Sequence, residues 1–576
     1  MSSNPSSGIS CWASGQRPAS LIKAARWLAE ERPDQTLFRF IKLDAAALEL
    51  TNAELWDRAC RLAAWLDAQG VGPDQVVGIN LPYNEEIIPV FLGTMLLGAV
   101  PAIFPHASDK ADSATYRQRL DSLLESSGAA RMLVPAVAHG ERKEVASAAG
   151  ERLLPLPSLE EISGLALSAR RLEPDAIAML QYSSGTTGRQ KGIELSQRSI
   201  LDHHQSLYRA LDLQANDRVV SWLPLHHDMG VISAVFFPLL AGLPATLMET
   251  LDWVRSPAML LKTITQERST LCWMPNFAFN HTLRSLRRGD AGGLDLSSMR
   301  RWFNASEPVR ESSIQAFAEY FAPFGLNADA LGTGYGLAEI GAVSLTQDGK
   351  RARVDYIDRR QLQELGRAVP AQEGTAMSVV SCGRLVPGVQ LQIRDEHDQV
   401  LPERTVGQIH VQSPSMFNGY FARPDLTANA LAGGWLRTGD LGYVAAGELY
   451  VTGRIKDLMI VAGKNIYPED VEAVSNETPG VYPGRSAAFS VPDETLGSEG
   501  IVLVYEARSP LSKEAQFELE RELRRRVVQE LDVTLHVVQL VPRGWVQKAS
   551  SGKIARNANK QKYLAPTADG RDDSAG

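Results

Sequence analysis

The chain has 576 residues, more than a single hydrophobic core usually organises, so two or more domains are expected. Hydrophobic residues make up 44% and charged residues 22%, which is the balance of an ordinary soluble protein. The formal net charge of −8 disfavours a general nucleic-acid binder, and we expect no nucleic-acid partner.

Four widely spaced cysteines form no CxxC pair, which argues against a disulfide framework and a zinc site: Cys11, Cys60, Cys272 and Cys382. No apolar run approaches the ~20 residues that a membrane-spanning helix needs. The polar N-terminus also lacks the basic and apolar parts of a signal peptide. These features predict a cytoplasmic protein without a transmembrane segment.

The first part of the chain alternates between helical and strand patterns. In chain order, we predict a helix over Leu21–Arg32, a strand pair over Phe38–Leu50, a helix over Thr51–Gln69, a strand over Gln75–Leu81, helices over Glu86–Leu97 and Tyr116–Ser127, and strands over Arg131–Val134 and Asp175–Leu180. Thr51 followed three residues later by Glu54 is a capping-box pattern at the start of the predicted helix over Thr51–Gln69. The alternation predicts an α/β fold with a mainly parallel sheet.

Further along, four strand-like runs each end in a polar or glycine-rich cluster. They are Arg218–Pro224 leading into HHDMG, Thr270–Met274 into Pro275–Asn276, Met299–Phe303 into NASEPV, and Leu331–Tyr335 into GYGLAE. Helices over Arg198–Leu211, Val231–Leu240 and Met259–Glu267 and a strand over Ala245–Leu247 are predicted among them. Because ligands of open α/β sheets bind beyond the carboxyl ends of strands, we expect these clusters to line one crevice.

From Ser381 onward the patterns change to strands, with dense glycine and proline between them. Strands over Gln390–Arg394, Gly407–Gln412 and Glu448–Val451 predict a small β-rich subdomain at about 381–453. Beyond it we predict helices over Pro468–Val474 and Lys513–Glu530 and strands over Ala487–Val491 and Ile501–Tyr505. We therefore expect a large N-terminal domain over 17–453, a connection at 454–458, a smaller α+β domain over 459–564, and disordered ends at 1–16 and 565–576.

The run QYSSGTTGRQKG (Gln181–Gly192) follows an apolar strand and combines glycines, hydroxyls and basic side chains. Glycine lets backbone N–H groups approach an anion and the hydroxyls add donors, so the pattern predicts a polyphosphate ligand. It is not a Walker A loop, because Lys191 is followed by Gly192 rather than by serine or threonine. A flexible surface linker is the alternative.

Two other short motifs have matching chemistry. In Tyr335–Glu339 (YGLAE) the ring can stack on a base and the carboxylate can hold Mg²⁺, although a structural turn has the same pattern. In Thr438–Gly439–Asp440 we predict a tight turn whose aspartate can accept both hydroxyls of a ribose. An ordinary Asx turn is the alternative there.

A lysine near the C-terminus stands on a loop of small residues, Gln547–Ile554 (QKASSGKI). Lysine is a compact charge on a flexible stem, so Lys553 could be carried to phosphates, while a solvated basic tail is the alternative. The run His226–His227–Asp228 disfavours zinc, because no third ligand stands at a motif spacing. A polar lip over a carboxylate substrate or a helix N-cap fits it better.

Four of these motifs occur in the order of the signatures of the adenylate-forming superfamily, over roughly Gln181 to Arg556: the glycine-rich run, YGLAE, Thr438–Gly439–Asp440 and the loop of Lys553. They resemble those signatures, and the chain looks like a fatty acyl-AMP ligase. The resemblance implies a large N-terminal and a small mobile C-terminal domain. It implies activation of a medium- or long-chain fatty acid with ATP and Mg²⁺ to acyl-adenylate, with release of pyrophosphate. The acyl group would then pass to the phosphopantetheine thiol of an acyl carrier protein.

The resemblance also assigns roles to individual residues. They are phosphate contacts at Ser183, Ser184, Gly185, Thr186, Thr187, Gly188 and Lys191; nucleotide contacts at Ser306, Glu307, Pro308, Gly334, Tyr335 and Gly336, with Tyr335 at the adenine; metal ligands at Glu339 and Thr187; ribose contacts at Asp440 and Arg454; a hinge at Lys456; and catalytic groups at Lys553, His227 and Glu339.

Two features favour an acyl-AMP ligase over an acyl-CoA ligase. LPLHHDMG resembles LPxxHDMG of that family, and Arg351–Val369 resembles the start of an insertion, here about 351–376, that is thought to restrain domain motion and disfavour CoA. A charged surface loop with one helical turn is the alternative for the insertion. His226, where an aromatic is more usual, and Gln547, where proline is common, depart from the pattern. The other activities to consider are an acyl-CoA or aryl-CoA synthetase, an amino-acid adenylation module and a non-catalytic nucleotide sensor.

Overall fold

The structure is a computed structural model that describes residues 18–106, 121–135, 152–162, 175–182, 191–286, 292–347, 349–371, 376–461, 464–493, 498–549 and 552–565. The glycine-rich residues from Ser183 to Gly188, to which phosphate contacts were assigned, lie outside these ranges. So do the N-terminal segment 1–16 and, apart from residue 565, the C-terminal segment for which disorder was predicted.

Residues 116–120 of the predicted helix over Tyr116–Ser127 lie outside the described ranges. Helices occupy the other predicted helical segments with small shifts in their ends, and further helices occupy segments where none was predicted. They are α1 (Leu21–Glu31), α2 (Asn52–Ala68), α3 (Ile87–Leu97), α4 (Gln197–Leu211), α5 (Asp228–Val231), α6 (Phe237–Ala241), α7 (Thr250–Arg255), α8 (Ala258–Glu267), α9 (Asn276–Ser285), α10 (Glu311–Phe321), α11 (Arg359–Leu365), α12 (Pro424–Ala430), α13 (Pro468–Glu477), α14 (Lys513–Leu531) and α15 (Arg556–Leu564). Residues 121–127 are also helical.

The strands of the first half are β1 (Thr36–Lys42), β2 (Ala45–Thr51), β3 (Val76–Ile79), β4 (Val100–Ile103), β5 (Arg131–Val134), β6 (Leu153–Pro155), β7 (Ile177–Tyr182), β8 (Gly192–Ser196), β9 (Val219–Ser221), β10 (Ala245–Met248), β11 (Leu271–Met274), β12 (Arg301–Asn304), β13 (Leu331–Leu337) and β14 (Gly341–Leu345). The strands of the second half are β15 (Val354–Asp358), β16 (Ala376–Val380), β17 (Arg384–Leu385), β18 (Gln390–Arg394), β19 (Gly407–Gln412), β20 (Gly419–Tyr420), β21 (Leu431–Ala432), β22 (Trp435–Ala445), β23 (Glu448–Arg454), β24 (Met459–Val461), β25 (Lys464–Ile466), β26 (Val481–Asp493), β27 (Ser498–Ala507) and β28 (Leu535–Leu540).

The largest sheet, as far as the described ranges extend, has nine strands in the order β17-β14-β13-β12-β11-β9-β10-β1-β2. The neighbours from β13 to β1 pair in parallel, and the strands outside them pair antiparallel. The predicted mainly parallel α/β fold is therefore confirmed. Because β13, β12, β11 and β9 are parallel neighbours, their carboxyl ends lie along one edge of the sheet.

Two smaller sheets complete this part of the molecule. The order β4-β3-β5-β6 is parallel, and β7 and β20 flank β8 in an antiparallel sheet. Helix α2 begins with the predicted capping box, in which Thr51 Oγ1 accepts from Glu54 N–H and the Glu54 carboxylate accepts from Thr51 N–H. Helix α3 is buried along its whole length, as expected for an apolar helix between two layers.

The predicted helix at Val231–Leu240 is built differently from a regular α-helix. It starts earlier, at Asp228, and continues from α5 through a π-helical turn at Ile232–Phe236 into α6. The extra residue of a π-turn arises inside the helix without an obvious marker in an apolar sequence, which is why the pattern did not predict it.

The β-rich subdomain contains β18, β19, β21, β22 and β23 in one antiparallel sheet. The predicted insertion packs on it as an antiparallel pair, β15 and β16, with α11 between them. Asp355 of β15 accepts from Arg404 Nη1 and from the Tyr443 hydroxyl, both at 2.9 Å. The described part of the insertion thus contains a strand as well as the helical turns of α11, and its effect on domain motion stays a prediction.

The residues after Arg454 start with a short 3₁₀ turn at Ile455–Asp457 and then form their own core. In it, β26, β27 and β28 pair in one sheet against α13 and α14. Leu519, Leu523 and Val527 line the buried face of α14, as the predicted amphipathic pattern required. Within the described ranges, no helix combines the length and the apolar content that a membrane crossing requires.

Candidate active site

The four polar clusters that follow β9, β11, β12 and β13 meet at the carboxyl edge of the largest sheet. Asn276, after β11, accepts a hydrogen bond from Asn304 Nδ2 at the end of β12 (2.9 Å) and another from the Arg310 N–H (3.1 Å). Ser306, after β12, lies 3.4 Å from the sulfur of Met229 in the cluster after β9. The loops of neighbouring strands are therefore tied together into one surface.

A buried carboxylate stands on one side of this edge. Asp440, in β22, is 4% exposed and accepts from the Tyr335 hydroxyl at 2.7 Å. Its other oxygen lies 3.0 Å from Arg454 Nε, since Asp440 and Arg454 are direct neighbours across β22 and β23. Burial and the charge of Asp440 raise the pKa of the Tyr335 phenol well above its usual range. A carboxylate offers about four acceptor positions, so both oxygens can still accept from a ligand.

The predicted Thr438–Gly439–Asp440 turn is instead an irregularity inside β22. The register against β19 shifts between Gln408 and His410, and Gly439 has φ +75°. The Asp440 N–H donates to Thr438 Oγ1 at 3.0 Å. Asp440 and Leu436 are both buried, so the irregularity leaves the carboxylate on the buried face of β22.

Glu339 follows β13 in a loop that is fixed at several points. Its carbonyl accepts from the Phe417 N–H (2.8 Å), the Ile340 carbonyl accepts from Ser415 Oγ (3.0 Å), and the Ala342 N–H donates to His203 Nε2 (2.9 Å). Its carboxylate oxygen Oε1 accepts from the Tyr420 hydroxyl at 2.9 Å. Burial raises the pKa of the Glu339 carboxyl, and the bond from Tyr420 acts in the opposite direction.

His227 and Asp228 stand where α5 begins, with His227 at the N-cap as one of the sequence interpretations expected. His227 Nδ1 lies 2.6 Å from Asp228 Oδ1 and 3.3 Å from Met229 N. One ring nitrogen cannot donate and accept at once, so the shorter contact places the proton on Nδ1, donated to Asp228. Burial opposes ionisation of Asp228, but the charge and hydrogen bond of His227 and the charge of Lys553 hold its pKa well below its usual range.

Lys553 reaches the same region from the C-terminal part of the chain. It stands on a hairpin closed by the Lys548–Ile554 bridge and by a hydrogen bond from Ala549 N–H to the Lys553 carbonyl. Gly552 has φ +83°, a conformation that favours glycine before the lysine. Burial and the charge of Arg454 lower the pKa of the Lys553 ammonium, while three carboxylates raise it: Asp228, Glu307 and Asp440.

Five further predicted residues lie in the loop after β12 and in β13. Ser306 adopts φ +73°, and the Glu307 carboxylate accepts from the Phe277 N–H, while burial raises the pKa of the Glu307 carboxyl. Pro308 directly follows them in the same loop. A Cβ at Gly336 would meet the backbone of β14 at 2.5 Å, so close strand packing by itself requires this glycine, whereas a Cβ at Gly334 would meet only the movable tip of Leu345 at 2.7 Å.

Two predicted residues lie at chain connections. Lys456 is in the 3₁₀ turn after β23, and burial together with Arg454 lowers the pKa of its ammonium. Lys191 directly precedes β8, and its ammonium lies 4.8 Å from the centre of the Tyr420 ring. The structure therefore brings Lys191, Glu339 and Tyr420 into one contact group.

Sequence reasoning missed Tyr420 and Arg310. Tyr420 stands in the run FNGYFARPDLT, whose only local signal is an aromatic between a glycine and a proline. Arg310 caps α10 and reaches α13, where it donates to Asp470 Oδ1 at 2.9 Å and to the Glu469 carbonyl at 3.0 Å. Contacts between residues this far apart in the chain leave no local pattern.

The donor set at Glu339 fits a magnesium ion that also binds phosphate. Magnesium usually takes one or two carboxylates plus phosphate oxygens and water, rather than a complete protein cage. In the described part of the chain, no group of three or more histidine, cysteine, aspartate or glutamate side chains is arranged to hold a metal on its own. Glu339 is a half-buried carboxylate, and the charge of Asp228 acts on it. These two side chains match the one or two carboxylates that magnesium takes beside phosphate oxygens.

The sequence matches a family described as AMP-binding enzyme over residues 25–421. Three relatives are each 32% identical. A Caulobacter vibrioides chain with the provisional name of an acyl-CoA synthetase aligns over 90% of this chain and 91% of its own. The medium-chain-fatty-acid–[acyl-carrier-protein] ligase JamA of Moorena producens aligns over 90% of each chain. The long-chain-fatty-acid–AMP ligase FadD26 of Mycobacterium marinum aligns over 93% of this chain and 95% of its own.

Solved structures show the same likeness in three dimensions. A structure from a study of fatty acyl-adenylate ligases of E. coli and L. pneumophila superposes with a TM-score of 0.86 at 28% identity, over 95% of this chain and 98% of the other. The L. pneumophila fatty acyl-adenylate ligase in complex with acyl adenylate and pyrophosphate gives a TM-score of 0.73 at 28% identity, over 95% and 96%.

Proposed function

Because the chain belongs to the AMP-binding enzymes, with relatives that are adenylate-forming fatty acid ligases, we propose that it activates a fatty acid with ATP. The products are acyl-adenylate and pyrophosphate, and the acyl group then passes to the phosphopantetheine thiol of an acyl carrier protein. A single observation carries this proposal. Charged groups from distant parts of the chain converge on one crevice, where Lys553 is within electrostatic range of Asp228, Glu307 and Asp440.

The first step of this reaction depends on neutralising charge. A fatty acid carboxylate oxygen forms a bond to the α-phosphorus of ATP, and the bond from that phosphorus to the leaving pyrophosphate breaks. Both reactants are anionic, so cationic groups that are aligned beforehand lower the barrier more than a strong acid or base does. In our proposal the Lys553 ammonium lies between the carboxylate and the phosphate, and burial in the crevice strengthens its electrostatic effect.

The other groups bind and orient. Asp440, with Tyr335 and Arg454 on its two oxygens, would accept from the ribose hydroxyls. His227, held by Asp228, would lie near the reacting carboxylate. Glu339, and in our proposal Thr187, would hold Mg²⁺, which supplies positive charge to the phosphates when bound.

The second step needs a different arrangement, since the thiol of the carrier attacks the acyl carbonyl and AMP leaves. We propose that the segment 459–564 turns relative to the domain 17–453 about the connection 454–458, with Lys456 as the hinge. The separate hydrophobic core of the C-terminal part supports this division. The short 3₁₀ turn at Ile455–Asp457 is the single connection between the two parts of the backbone.

The test is to incubate the protein with ATP, Mg²⁺ and a series of fatty acids of increasing length, alone or with phosphopantetheinylated carrier protein, and to identify the products by mass spectrometry. We expect acyl-adenylate with at least one fatty acid and acylated carrier when the carrier is present. Lys553→Ala should lower the rate of adenylate formation by about 10²–10³-fold, as loss of a group that stabilises transition-state charge does. Lys513→Ala, at an exposed lysine in the same part of the chain, should retain the wild-type rate.

The name of the Caulobacter relative favours a second candidate, an acyl-CoA synthetase. The two activities separate in one further arm of the same assay, in which CoA replaces the carrier protein. Robust acyl-CoA formation would overturn the carrier-protein proposal. The described part of the insertion favours the carrier protein, because α11 packs against β25 and thereby links the two parts that have to move.

A further inference from the structure

Tyr420 touches two of the charged groups in the candidate site at once. Its hydroxyl donates to Glu339 Oε1 at 2.9 Å, and its ring lies under the Lys191 ammonium, 4.8 Å from the ring centre. A lysine over the face of an aromatic ring is attracted by the negative potential of that face. The side chain therefore lies between a cation that follows the glycine-rich loop and a carboxylate that fits a metal.

The position of Tyr420 is fixed by its backbone as well as by its neighbours. Strand β20 pairs with β8, which opposes Tyr420 to Ile193, two residues after Lys191. The Tyr420 N–H donates to Thr427 Oγ1 at 2.9 Å, and its ring packs edge-on against Phe417. The residue is only 9% exposed. It can therefore not turn away from Lys191 and Glu339 without disrupting the strand.

Lys191 and Glu339 carry opposite charges and influence each other electrostatically. Both lie in the described part of the chain, yet no ion pair within 4.0 Å joins them, and the Tyr420 side chain contacts each of them instead. A direct pair would neutralise both groups and occupy the carboxylate. An amine available for phosphate and a carboxylate available for a metal need the two charges to stay apart.

We propose that Tyr420 is a positioning residue that keeps Lys191 and Glu339 apart and available, Lys191 for the phosphates and Glu339 for the metal. This proposal rests on the ATP-dependent function proposed above. The ring and the hydroxyl have separate effects in it. The ring holds the ammonium, and the hydroxyl holds the carboxylate.

Two substitutions separate these effects. Tyr420→Phe keeps the ring and removes the hydroxyl, while Tyr420→Leu removes both. Tyr443→Phe is a matched control, because the Tyr443 hydroxyl also donates to a carboxylate, Asp355, at 2.9 Å from a buried position in the β-rich subdomain. Loss of folding stability common to buried tyrosine hydroxyls will appear in both Phe variants.

The measurement is the affinity for ATP by titration calorimetry, first with EDTA and then over a range of Mg²⁺ concentrations, with thermal unfolding as the check of folding. In Tyr420→Phe we expect unchanged metal-free ATP affinity and an increase of about tenfold in the half-saturating Mg²⁺ concentration, the effect of losing one hydrogen bond to a charged group. In Tyr420→Leu we also expect metal-free ATP affinity to fall several-fold, as loss of one cation–π contact predicts. Tyr443→Phe should retain both wild-type values.

A folded Tyr420→Phe variant with the Mg²⁺ dependence of the wild type would overturn the proposal. So would a Tyr420→Phe variant with a lower half-saturating Mg²⁺ concentration, because it would mean that the hydroxyl competes with the metal. The calorimetry needs no fatty acid, so it also separates this inference from the proposed function. If the wild type binds MgATP but forms no acyl-adenylate, the function fails while the Tyr420 test still gives its answer.

Discussion

Arg310 joins the two main parts of the molecule, and its removal gives the sharpest test of how Lys553 is placed. Its guanidinium donates to the Asp470 carboxylate and to the Glu469 carbonyl in the first turn of α13. Burial disfavours the charged guanidinium, but the charge of Asp470 more than compensates and raises the pKa of Arg310. Since α13 and Lys553 belong to the same part of the chain, this contact helps to place the ammonium in the crevice.

The size of the effect follows from the geometry. A hydrogen bond to a charged group contributes about 1.5–3 kcal/mol when buried. The side chains keep 31% and 15% of their surface exposed, so solvent weakens the contact, and we take about 2 kcal/mol for the whole interaction. That free energy corresponds to a shift of about 30-fold in the docking equilibrium. Arg310→Ala should therefore lower the rate of acyl-adenylate formation by up to about 30-fold.

The assay is single-turnover acyl-adenylate formation at saturating ATP and fatty acid. Arg404→Ala is the control, because Arg404 pairs with Asp355 at the same distance of 2.9 Å and with similar exposure, but within the N-terminal part. Exchange of the two charges, Arg310→Asp with Asp470→Arg, should restore part of the rate. An Arg310→Ala variant that reacts at the wild-type rate, while Lys553→Ala does not, would refute the reasoning, because docking would then not depend on this contact.

Two further predictions concern the buried histidines of α4 and the loop that they support. Burial lowers the pKa of His204 to about 4, below its ordinary value near 6.5. The unfolded chain therefore binds the proton more tightly than the folded chain does. Roughly 3 kcal/mol of the free energy of unfolding should be lost as pH falls from about 6.5 to about 4. In urea unfolding, the free energy of unfolding should fall less with decreasing pH in His204→Asn than in the wild type, and as much as in the wild type in His397→Asn, at an exposed position. An equal fall in His204→Asn and the wild type would disprove this. Gly341→Ala should cost about 2–4 kcal/mol in thermal unfolding, because φ is +80° and the new Cβ would lie 2.5 Å from the His203 ring. Gly433→Ala, at φ +58° with open space, should cost only about 1 kcal/mol, and similar losses at both sites would contradict the steric explanation.

Much of the fold was predictable from the sequence because the signals for it are local. The capping box at Thr51 and the apolar face of α14 are periodic patterns a few residues long, and both appear in the structure as predicted. The edge of the sheet where polar clusters meet also follows from such patterns, because a strand that ends in polar residues marks its own carboxyl end.

The contacts within the candidate site were predictable only in part. Asp440 was singled out, but the irregularity beside it and its contacts with Tyr335 and Arg454 depend on pairing across β19, β22 and β23. Tyr420 and Arg310 act through partners 81 and 160 positions away, and a single sequence read without comparison to its relatives carries no signal at that distance. The roles assigned to Ser183–Gly188 stay predictions, because these residues lie outside the described ranges.

The ion pair between Asp440 and Arg454 has a consequence for motion. Arg454 is the last residue of β23, and the 3₁₀ turn that holds Lys456 begins at the next residue. The chain is thus anchored to the proposed nucleotide side of the crevice immediately before the proposed pivot, so any reorientation of the residues that follow has to be absorbed by very few backbone torsions. A ligand that strengthens or competes with the Arg454 contact would act directly on the stiffness of that pivot, and conversion of ATP to acyl-adenylate would thereby set the timing of the two steps.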